Sequence, residues 1–290
     1  MDAFSAGQLS RALDKLHSTI YFAPEAGEMY TTLGLENQRA QYFASRAAPM
    51  GAVTAKVVAA TFYNFNPALI AKAIPAAWDI ASPETVTRMR YEIVDAVIPK
   101  ILGEQRVTSP EFAHSVAIVR RTAEAIPNAD GRPLYAGHAE LAWPQPPYAQ
   151  LWHAITLLRE YRGDGHIAAL VVHGLSGIEA LITHIATGTG FNPEVGRLLR
   201  GWSQDQWDYA VSTLTARGLL DDAGQLTAAG SDLRTRIEDL TDELAFAPWR
   251  TVPDDDVQEL VGLGEVIRDC VRAAGVFPAN AFGPRHGQHR

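Results

Sequence analysis

Residues Gly201–Gly230 read GWSQDQWDYAVSTLTARGLLDDAGQLTAAG and contain several local structural signals close together. Ser203 and the glutamine three residues later match a capping box, which predicts that a helix begins there. Apolar residues then recur at the spacing of one helix face, and Gly218 suits the helix end. This apolar stripe consists of Trp207, Ala210, Val211 and Leu214. The turn residues Asp222–Gly224 lie between two short arms and predict a small β-hairpin.

Helical patterns flank this segment on both sides. Ile178–Ala186 and Pro193–Arg200 precede it, and Thr227 is a suitable N-cap for a helix that follows it. The apolar stripe of that last helix consists of Leu233, Ile237, Leu240 and Leu244. Three helices, a β-wing and a further helix are the order of elements in a winged helix. We therefore predict a winged-helix-like unit over about residues 178–247.

The rest of the chain also shows helical rather than strand-like periodicity. Ser82 and Ser109, each followed by proline, predict two helix starts. Residues 127–150 contain five prolines and no helical stripe, which is typical of a connector between domains. We predict a mainly α fold in two halves: a helical N-terminal domain (1–126), a Pro-rich connector (127–150), and a helical domain (151–290). The second domain contains the winged-helix-like unit with its small β-wing.

Composition restricts the class of protein. The net charge is −8, and Cys270 is the only cysteine, so an intramolecular disulfide is excluded. The first residues lack the basic and apolar segments of a signal peptide. No apolar run approaches the roughly 20 residues of a membrane span. These features predict a cytoplasmic protein without membrane association.

The charge of the winged-helix-like unit argues against DNA binding. Residues 190–250 contain six arginines, no lysine and ten acidic residues, a net charge of −4. Asp205 and Asp208 lie in the first turns of the third helix, which enters the major groove in DNA-binding winged helices. Carboxylates there would repel the phosphates that supply most nonspecific affinity. We expect nucleic acid to be an unlikely partner.

Several short motifs resemble an actinobacterial family of uncharacterised helix-turn-helix-type proteins. The resemblance covers nearly the whole chain and implies a helix-turn-helix-type fold and an actinobacterial origin, but no particular activity. His138 stands where asparagine is expected in that family. The motifs are YFAPEA (21–26), YFASRAAPMG (42–51), ATFYNFNP (60–67), LREYRGDGH (158–166), RGWS (200–203) and LTAAG (226–230).

Two residues are candidates for catalysis. The segment Arg162–Gly165 predicts a break in an otherwise helical stretch, with Asp164 as the N-cap of the next helix and His166 in its first turn. A helix N-terminus lowers the pKa of a histidine and favours the neutral imidazole, which is a usable general base. The alternative is that Asp164 only caps and His166 only packs.

Metal and cofactor sites have weaker support. His153 and Glu160, like His166 and His173, are seven residues apart, whereas helical metal motifs use spacings of three or four. We therefore predict no metal site. The sequence also lacks a phosphate-binding glycine loop and a Gly-x-Ser-x-Gly motif, and it leaves the cofactor unknown.

Aromatic residues are concentrated between positions 21 and 65, with charged residues among them. Such a segment forms either an aromatic core with one ion pair or a ligand pocket, where apolar walls carry a few polar groups. On the second interpretation Glu25, Arg46, Tyr63 and Asn64 are the candidate ligand-binding residues. We expect Glu25, Arg46 and Tyr63 to lie near one another beside a cavity.

The sequence is compatible with three functions. The first is a small-molecule-binding, regulatory protein on a winged-helix scaffold that does not itself bind DNA strongly. The second is an enzyme with a polar site between the two halves, and the third is a DNA-binding transcriptional regulator. For the first, the expected partner is a small-molecule ligand, and a homodimer is compatible with the sequence.

Overall fold

The computed structural model of the chain describes residues Met1–Phe277 and Phe282–Arg285. The mainly α prediction is confirmed, because helices account for most of the described residues. The helices are α1 (Ala3–Ser18), α2 (Pro24–Thr32), α3 (Gln38–Ala47), α4 (Ala55–Phe62), α5 (Pro67–Ile70), α6 (Ala76–Ile80), α7 (Pro83–Leu102), α8 (Glu104–Val107), α9 (Pro110–Glu124), α10 (Pro133–Ala139), α11 (Pro147–Val172), α12 (Gly177–Ala186), α13 (Pro193–Arg200), α14 (Gln204–Ala216), α15 (Ala228–Ala245) and α16 (Asp254–Ala274). Short 3₁₀ turns cover Thr19–Tyr21, Ala48–Met50 and Ala247–Trp249.

Helix starts follow the local sequence signals. The Ser82 and Ser109 side chains accept hydrogen bonds from the backbone N–H groups three residues later and cap α7 and α9. Ser176 and Ser203 form complete capping boxes at the starts of α12 and α14. Each cap satisfies an N–H group that the first helical turn leaves without a partner. The helix starts predicted at Ser82, Ser109 and Ser203 are therefore confirmed.

The chain forms two compact units, and each is made from separated segments. The first unit contains Met1–Val53, Ala73–Gly165 and Asp242–Phe277. The second contains Thr54–Lys72, His166–Thr241 and residues 278–290, of which Phe282–Arg285 are described. Residues 127–150 lie within the first unit and include α10. The division into domains at 1–126, 127–150 and 151–290 stays a prediction.

The first unit is built around α7. This helix packs against α2, α3 and α16, and α1 packs along α16. One face of α7 is buried because its apolar residues recur at helical spacing. Its fully buried members include Val86, Ile93, Val94 and Ile98. Arg90 lies on this same buried face.

The second unit contains the helix-turn-helix arrangement. Helices α12 and α14, the C-terminal end of α11 and the first part of α15 enclose a core that includes Ile182, Leu214 and Ile237, and α13 packs against α12. The α4–α5 segment attaches to the turn between α13 and α14: Asn66 donates to the Gly201 carbonyl at 3.0 Å, and Trp202 donates to the Asn64 carbonyl at 3.0 Å. A segment more than a hundred residues earlier in the chain thus stabilises this turn.

The predicted β-wing is wrong. No strand occurs among the described residues, and the hairpin region contains only one isolated bridge, between Leu220 and Leu226. Between the end of α14 at Ala216 and the start of α15 at Ala228, local contacts form in place of a strand ladder: Asp221 Oδ1 accepts from the N–H groups of Ala223 and Gln225 at 2.9 and 2.8 Å. The segment closes as a tight turn in which Asp221 donates its N–H to the Gln225 carbonyl at 2.9 Å.

The predicted helix break at Arg162–Gly165 is also wrong, because α11 runs without interruption from Pro147 to Val172. Gly165 serves packing instead of a turn. A Cβ atom at this position would lie 2.7 Å from the Arg132 guanidinium and 3.4 Å from the Leu244 Cβ. Glycine in the helix therefore gives Arg132 the room to lie over the Tyr161 ring, 3.7 Å from its centroid.

A search of the described residues for membrane-spanning helices finds no single helix with the required length and apolar character. The consecutive helices α11 and α12 reach this length and apolar character only when taken together, and they are bent by 100° relative to each other.

Candidate ligand pocket

The first unit contains a cavity of about 270 Å³ between the 3₁₀ turn Thr19–Tyr21 and helices α2 and α3. Its size is near the lower end of ordinary ligand pockets, so it suits a compact molecule. Aromatic and polar side chains share its lining, a composition typical of ligand sites. The lining includes the side chains of Tyr21, Phe22, Tyr30, Gln41, Tyr42 and Ser45.

A buried arginine lies directly behind this lining. Arg90 is 0% exposed and donates to the Tyr21 hydroxyl oxygen at 2.7 Å and to Ser45 Oγ at 3.0 Å. Its guanidinium also packs over the Trp152 ring, 4.8 Å from the centroid. Within the described residues its hydrogen bonds go only to neutral groups, and its Nε has no acceptor. Burying a charge without an opposite charge lowers the stability of the folded protein, so Arg90 is destabilising unless another group compensates its charge.

A hydrogen-bond chain connects Tyr21 to the interior. The Thr156 hydroxyl donates to the Trp152 carbonyl and therefore accepts from His17 Nδ1, at 2.8 Å. His17 Nε2 is then the acceptor for the Tyr21 hydroxyl, at 3.1 Å. Burial lowers the pKa of His17 well below its ordinary value, which is consistent with a neutral imidazole. The Tyr21 hydrogen thus points inward, while its oxygen accepts from Arg90.

Ser45 presents a hydrogen-bond donor to the cavity. Its Oγ accepts from the Tyr30 hydroxyl at 2.7 Å and from Arg90 at 3.0 Å, which uses both lone pairs. No described residue accepts the remaining hydroxyl hydrogen of Ser45, and Ser45 lines the cavity. Among the described contacts this hydrogen has no acceptor, at a lining residue that is itself 1% exposed.

A second charged network reaches the cavity through Tyr42. Arg46 donates to the Tyr42 hydroxyl at 3.1 Å and lies 3.5 Å from the Glu160 carboxylate. Arg159 pairs with Glu160 at 2.5 Å and with Asp14 at 3.0 Å. Burial favours protonation of Glu160, but Arg159 and Arg46 outweigh it and lower the pKa of Glu160 to about 2. Glu160 is accordingly ionised at neutral pH.

His138 is a further buried polar residue of the first unit. Its side chain is 1% exposed, and neither ring nitrogen has a hydrogen-bond partner among the described residues. Burial lowers its pKa well below the ordinary value, so the ring is neutral at physiological pH.

The predicted ligand-binding residues divide between different environments. Glu25 pairs with Lys100 at 2.8 Å, and Arg46 pairs with Glu160, so the two do not form an ion pair with each other. Tyr63 and Asn64 belong to the second unit, where the Tyr63 hydroxyl donates to the Leu175 carbonyl at 2.5 Å. Of the four, Arg46 contacts the cavity lining, through Tyr42.

The predicted catalytic residues have structural contacts. Asp164 Oδ2 accepts from the backbone N–H groups of Leu134 and Tyr135 at 3.0 and 2.9 Å, so it caps α10 and not its own helix. Burial raises the pKa of Asp164 to about 6. His166 Nδ1 lies 2.8 Å from the Thr241 hydroxyl. A catalytic role for either residue stays a prediction.

Sequence reasoning missed Arg90, Ser45, His17 and Gln41. A signal for Arg90 was present: it takes a position in α7 where the helical stripe of Val86, Ile93 and Val97 requires a buried residue. An arginine on an apolar stripe indicates a specific buried environment. Metal chemistry gains no candidate, since no group of three potential ligands is found in the described part of the chain.

The outer face of the helix-turn-helix arrangement has the acidic character expected from the sequence. Asp205 and Asp208 are exposed near the start of α14, and Gln204 donates to Asp208 at 2.7 Å. Tyr209, on the same helix, is 76% exposed. This surface offers carboxylates and an aromatic ring where a DNA-binding helix usually offers basic side chains.

Comparison of the whole chain agrees with the resemblance indicated by the short motifs. The sequence matches a helix-turn-helix family over residues 6–278. No curated protein and no solved structure gives a significant match. Because the match extends over nearly the entire sequence, the chain belongs to this helix-turn-helix family.

Proposed function

We propose that this protein binds a small molecule in the cavity of its first unit and acts as a regulatory member of its helix-turn-helix family. The observation that carries the proposal is the cavity lining: Tyr21 and Ser45 face the cavity, and a fully buried arginine without a carboxylate partner supports both. A core selected only for stability gains little from such an arrangement, because apolar residues fill the same space at lower cost.

In this proposal the helix-turn-helix unit is a scaffold that does not hold duplex DNA strongly. The family match favours a DNA-binding type of scaffold, and it is the main support for the alternative, a DNA-binding regulator. The exposed Asp205 and Asp208 oppose that alternative, because they would face phosphates. The contacts of Asp164 and His166 give the enzyme alternative no particular support.

The test uses a variant that fills the cavity. Gly27 lines the cavity, and a Cβ atom added there meets only Gln41 Oε1, at 4.0 Å. Gly27→Trp therefore places an indole in the cavity with little disturbance of the backbone. Gly262→Trp is the matched control, because position 262 is an exposed helical glycine with no neighbour within 4 Å of an added Cβ.

Two probes of the same shape are titrated calorimetrically at neutral pH: naphthalene-2-carboxylate and naphthalene-2-carboxamide. We expect the wild type and Gly262→Trp to bind at least one of them, and Gly27→Trp to bind neither. Native mass spectrometry of the protein as purified adds a search for a copurified molecule, which Gly27→Trp should lack. Absence of binding by the wild type, or unchanged binding by Gly27→Trp, would contradict the proposal.

A further inference from the structure

The buried charges behind the cavity do not balance. The arginines Arg46, Arg90 and Arg159 face only two carboxylates, Asp14 and Glu160, among the groups that these networks connect. Burial lowers the pKa values of the nearby His17, His138 and His153, so these rings are neutral and add no charge to this balance. With both carboxylates ionised, these five side chains together carry one excess positive charge.

The excess charge is located at Arg90. Arg46 and Arg159 both pair with Glu160, and Arg159 also pairs with Asp14, whereas the hydrogen bonds of Arg90 end on Tyr21 and Ser45. Both of these side chains line the cavity. A group bound against Ser45 would thus be separated from the guanidinium by a single hydroxyl. At this distance the charge of the guanidinium acts on the bound group.

The hydrogen bonds already made by Ser45 determine which kind of ligand atom can bind next to it. Its oxygen is saturated by Tyr30 and Arg90, and its hydrogen is the unused element. A ligand atom at this position must therefore accept a hydrogen bond. Excess positive charge and a free donor together match an oxygen anion.

We propose that the ligand is a compact carboxylate attached to an apolar or aromatic body. One carboxylate oxygen accepts the Ser45 hydroxyl hydrogen, and its single negative charge balances Arg90. A dianion such as a phosphate ester fits less well, because one excess positive charge and one free hydroxyl would leave part of its charge unmatched. The apolar body lies against Ile20, Phe22 and the ring of Tyr42, which form the other walls. This inference rests on the function proposed above.

The experiment compares the affinities of the two naphthalene probes, which differ in charge and have nearly the same shape. In the wild type we expect the carboxylate to bind at least about tenfold more tightly than the carboxamide, as charged hydrogen-bonded groups typically do. Ser45→Ala should weaken both probes, because the carboxamide oxygen can accept the same hydrogen, and it should weaken the carboxylate more, so that the ratio of the two affinities falls. Arg90→Gln should abolish the ratio, and Arg90→Lys should restore part of it.

Each outcome decides one of the two proposals. Equal affinities in the wild type, with both probes lost in Gly27→Trp, would keep the cavity as a binding site and overturn the carboxylate inference. A carboxylate preference that survives in both Ser45→Ala and Arg90→Gln would also overturn it. Failure of both probes to bind the wild type would count against the pocket itself. If circular dichroism shows that Arg90→Gln does not fold, the Ser45→Ala ratio decides alone.

Discussion

At the scale of single residues, Asp164 shows how one side chain can stabilise a distant helix end. Proline at the first position of α10 has no N–H, and Asp164 accepts from the next two N–H groups. The helix N-terminus favours a carboxylate, but burial disfavours its charge and raises its pKa to about 6. A folded-state pKa above the ordinary value of 3.8 means that the folded protein holds this proton more tightly than the unfolded chain.

The contribution of Asp164 to stability should therefore fall as the pH rises from about 4 to about 6. Asp164→Asn removes the charge, and its amide oxygen can accept both N–H groups in the same way. We expect the variant to gain stability relative to the wild type across this window, by at most roughly 3 kcal/mol. Urea midpoints at pH 4, 5, 6 and 7 measure the difference.

The comparison with the wild type is necessary because His153 acts in the opposite direction. Burial lowers the pKa of His153 to about 4, so its contribution is lost as the pH falls. The same effect occurs in both proteins and cancels in their difference. Asp130→Asn, which makes the same substitution at an exposed position, is the control for the change of side chain. A stability difference between Asp164→Asn and the wild type that stays constant with pH would contradict the raised pKa of Asp164.

At the scale of elements, the start of α12 depends on a close approach by the chain at the end of α4. Tyr63 has a positive φ of 55°, which turns the chain immediately after α4. A Cβ atom at Gly177 would overlap the Tyr63 carbonyl oxygen, so only glycine fits at the first position of α12. Two segments of the second unit are thereby held together at a position where neither side can give way.

Gly177→Ala should destabilise the protein by about 1–3 kcal/mol or more, because the added methyl group meets a backbone atom and not a flexible side chain. Gly262→Ala makes the same substitution in the exposed middle of α16 and should raise stability by up to about 1 kcal/mol. Thermal unfolding of the two variants beside the wild type measures both effects. Similar melting temperatures for the two variants would show that the contact at Gly177 is not rigid.

At the scale of the whole molecule, charge decides how the helix-turn-helix unit meets a polyanion. The net charge is −8, and the segment that contains this unit is itself acidic. The helix-turn-helix architecture alone does not supply the phosphate contacts on which nonspecific binding depends. A homodimer stays a prediction, and sedimentation of the purified protein would measure it.

We expect no appreciable binding to random duplex DNA at physiological salt, measured by fluorescence anisotropy. The double variant Asp205→Lys and Asp208→Lys, changed on the exposed start of α14, should gain affinity with a marked salt dependence. Micromolar binding by the wild type with a steep salt slope would instead support the DNA-binding alternative. The double variant shows that the assay detects phosphate contacts on this surface.

Local sequence patterns are enough to predict the helical class, the family and several helix starts. Capping boxes at Ser176 and Ser203 were predictable because a cap involves residues only three positions apart. The concentration of aromatic residues in the N-terminal part was visible, and four of them line the cavity. These features depend on interactions between neighbours along the chain, which local patterns record.

The partners of each buried helix face become known from the three-dimensional fold and not from the sequence. The stripe of α7 shows that Arg90 is buried, but its partners come from positions 21 and 45 and from α11. The same holds for Gly165. Its sequence context predicted a helix break, whereas in the structure it leaves room for the Arg132 side chain. A periodic pattern tells which side of a helix avoids water, and it contains no record of which distant segment covers that side. The pocket is made by such pairings, so its chemistry could not be predicted from local sequence.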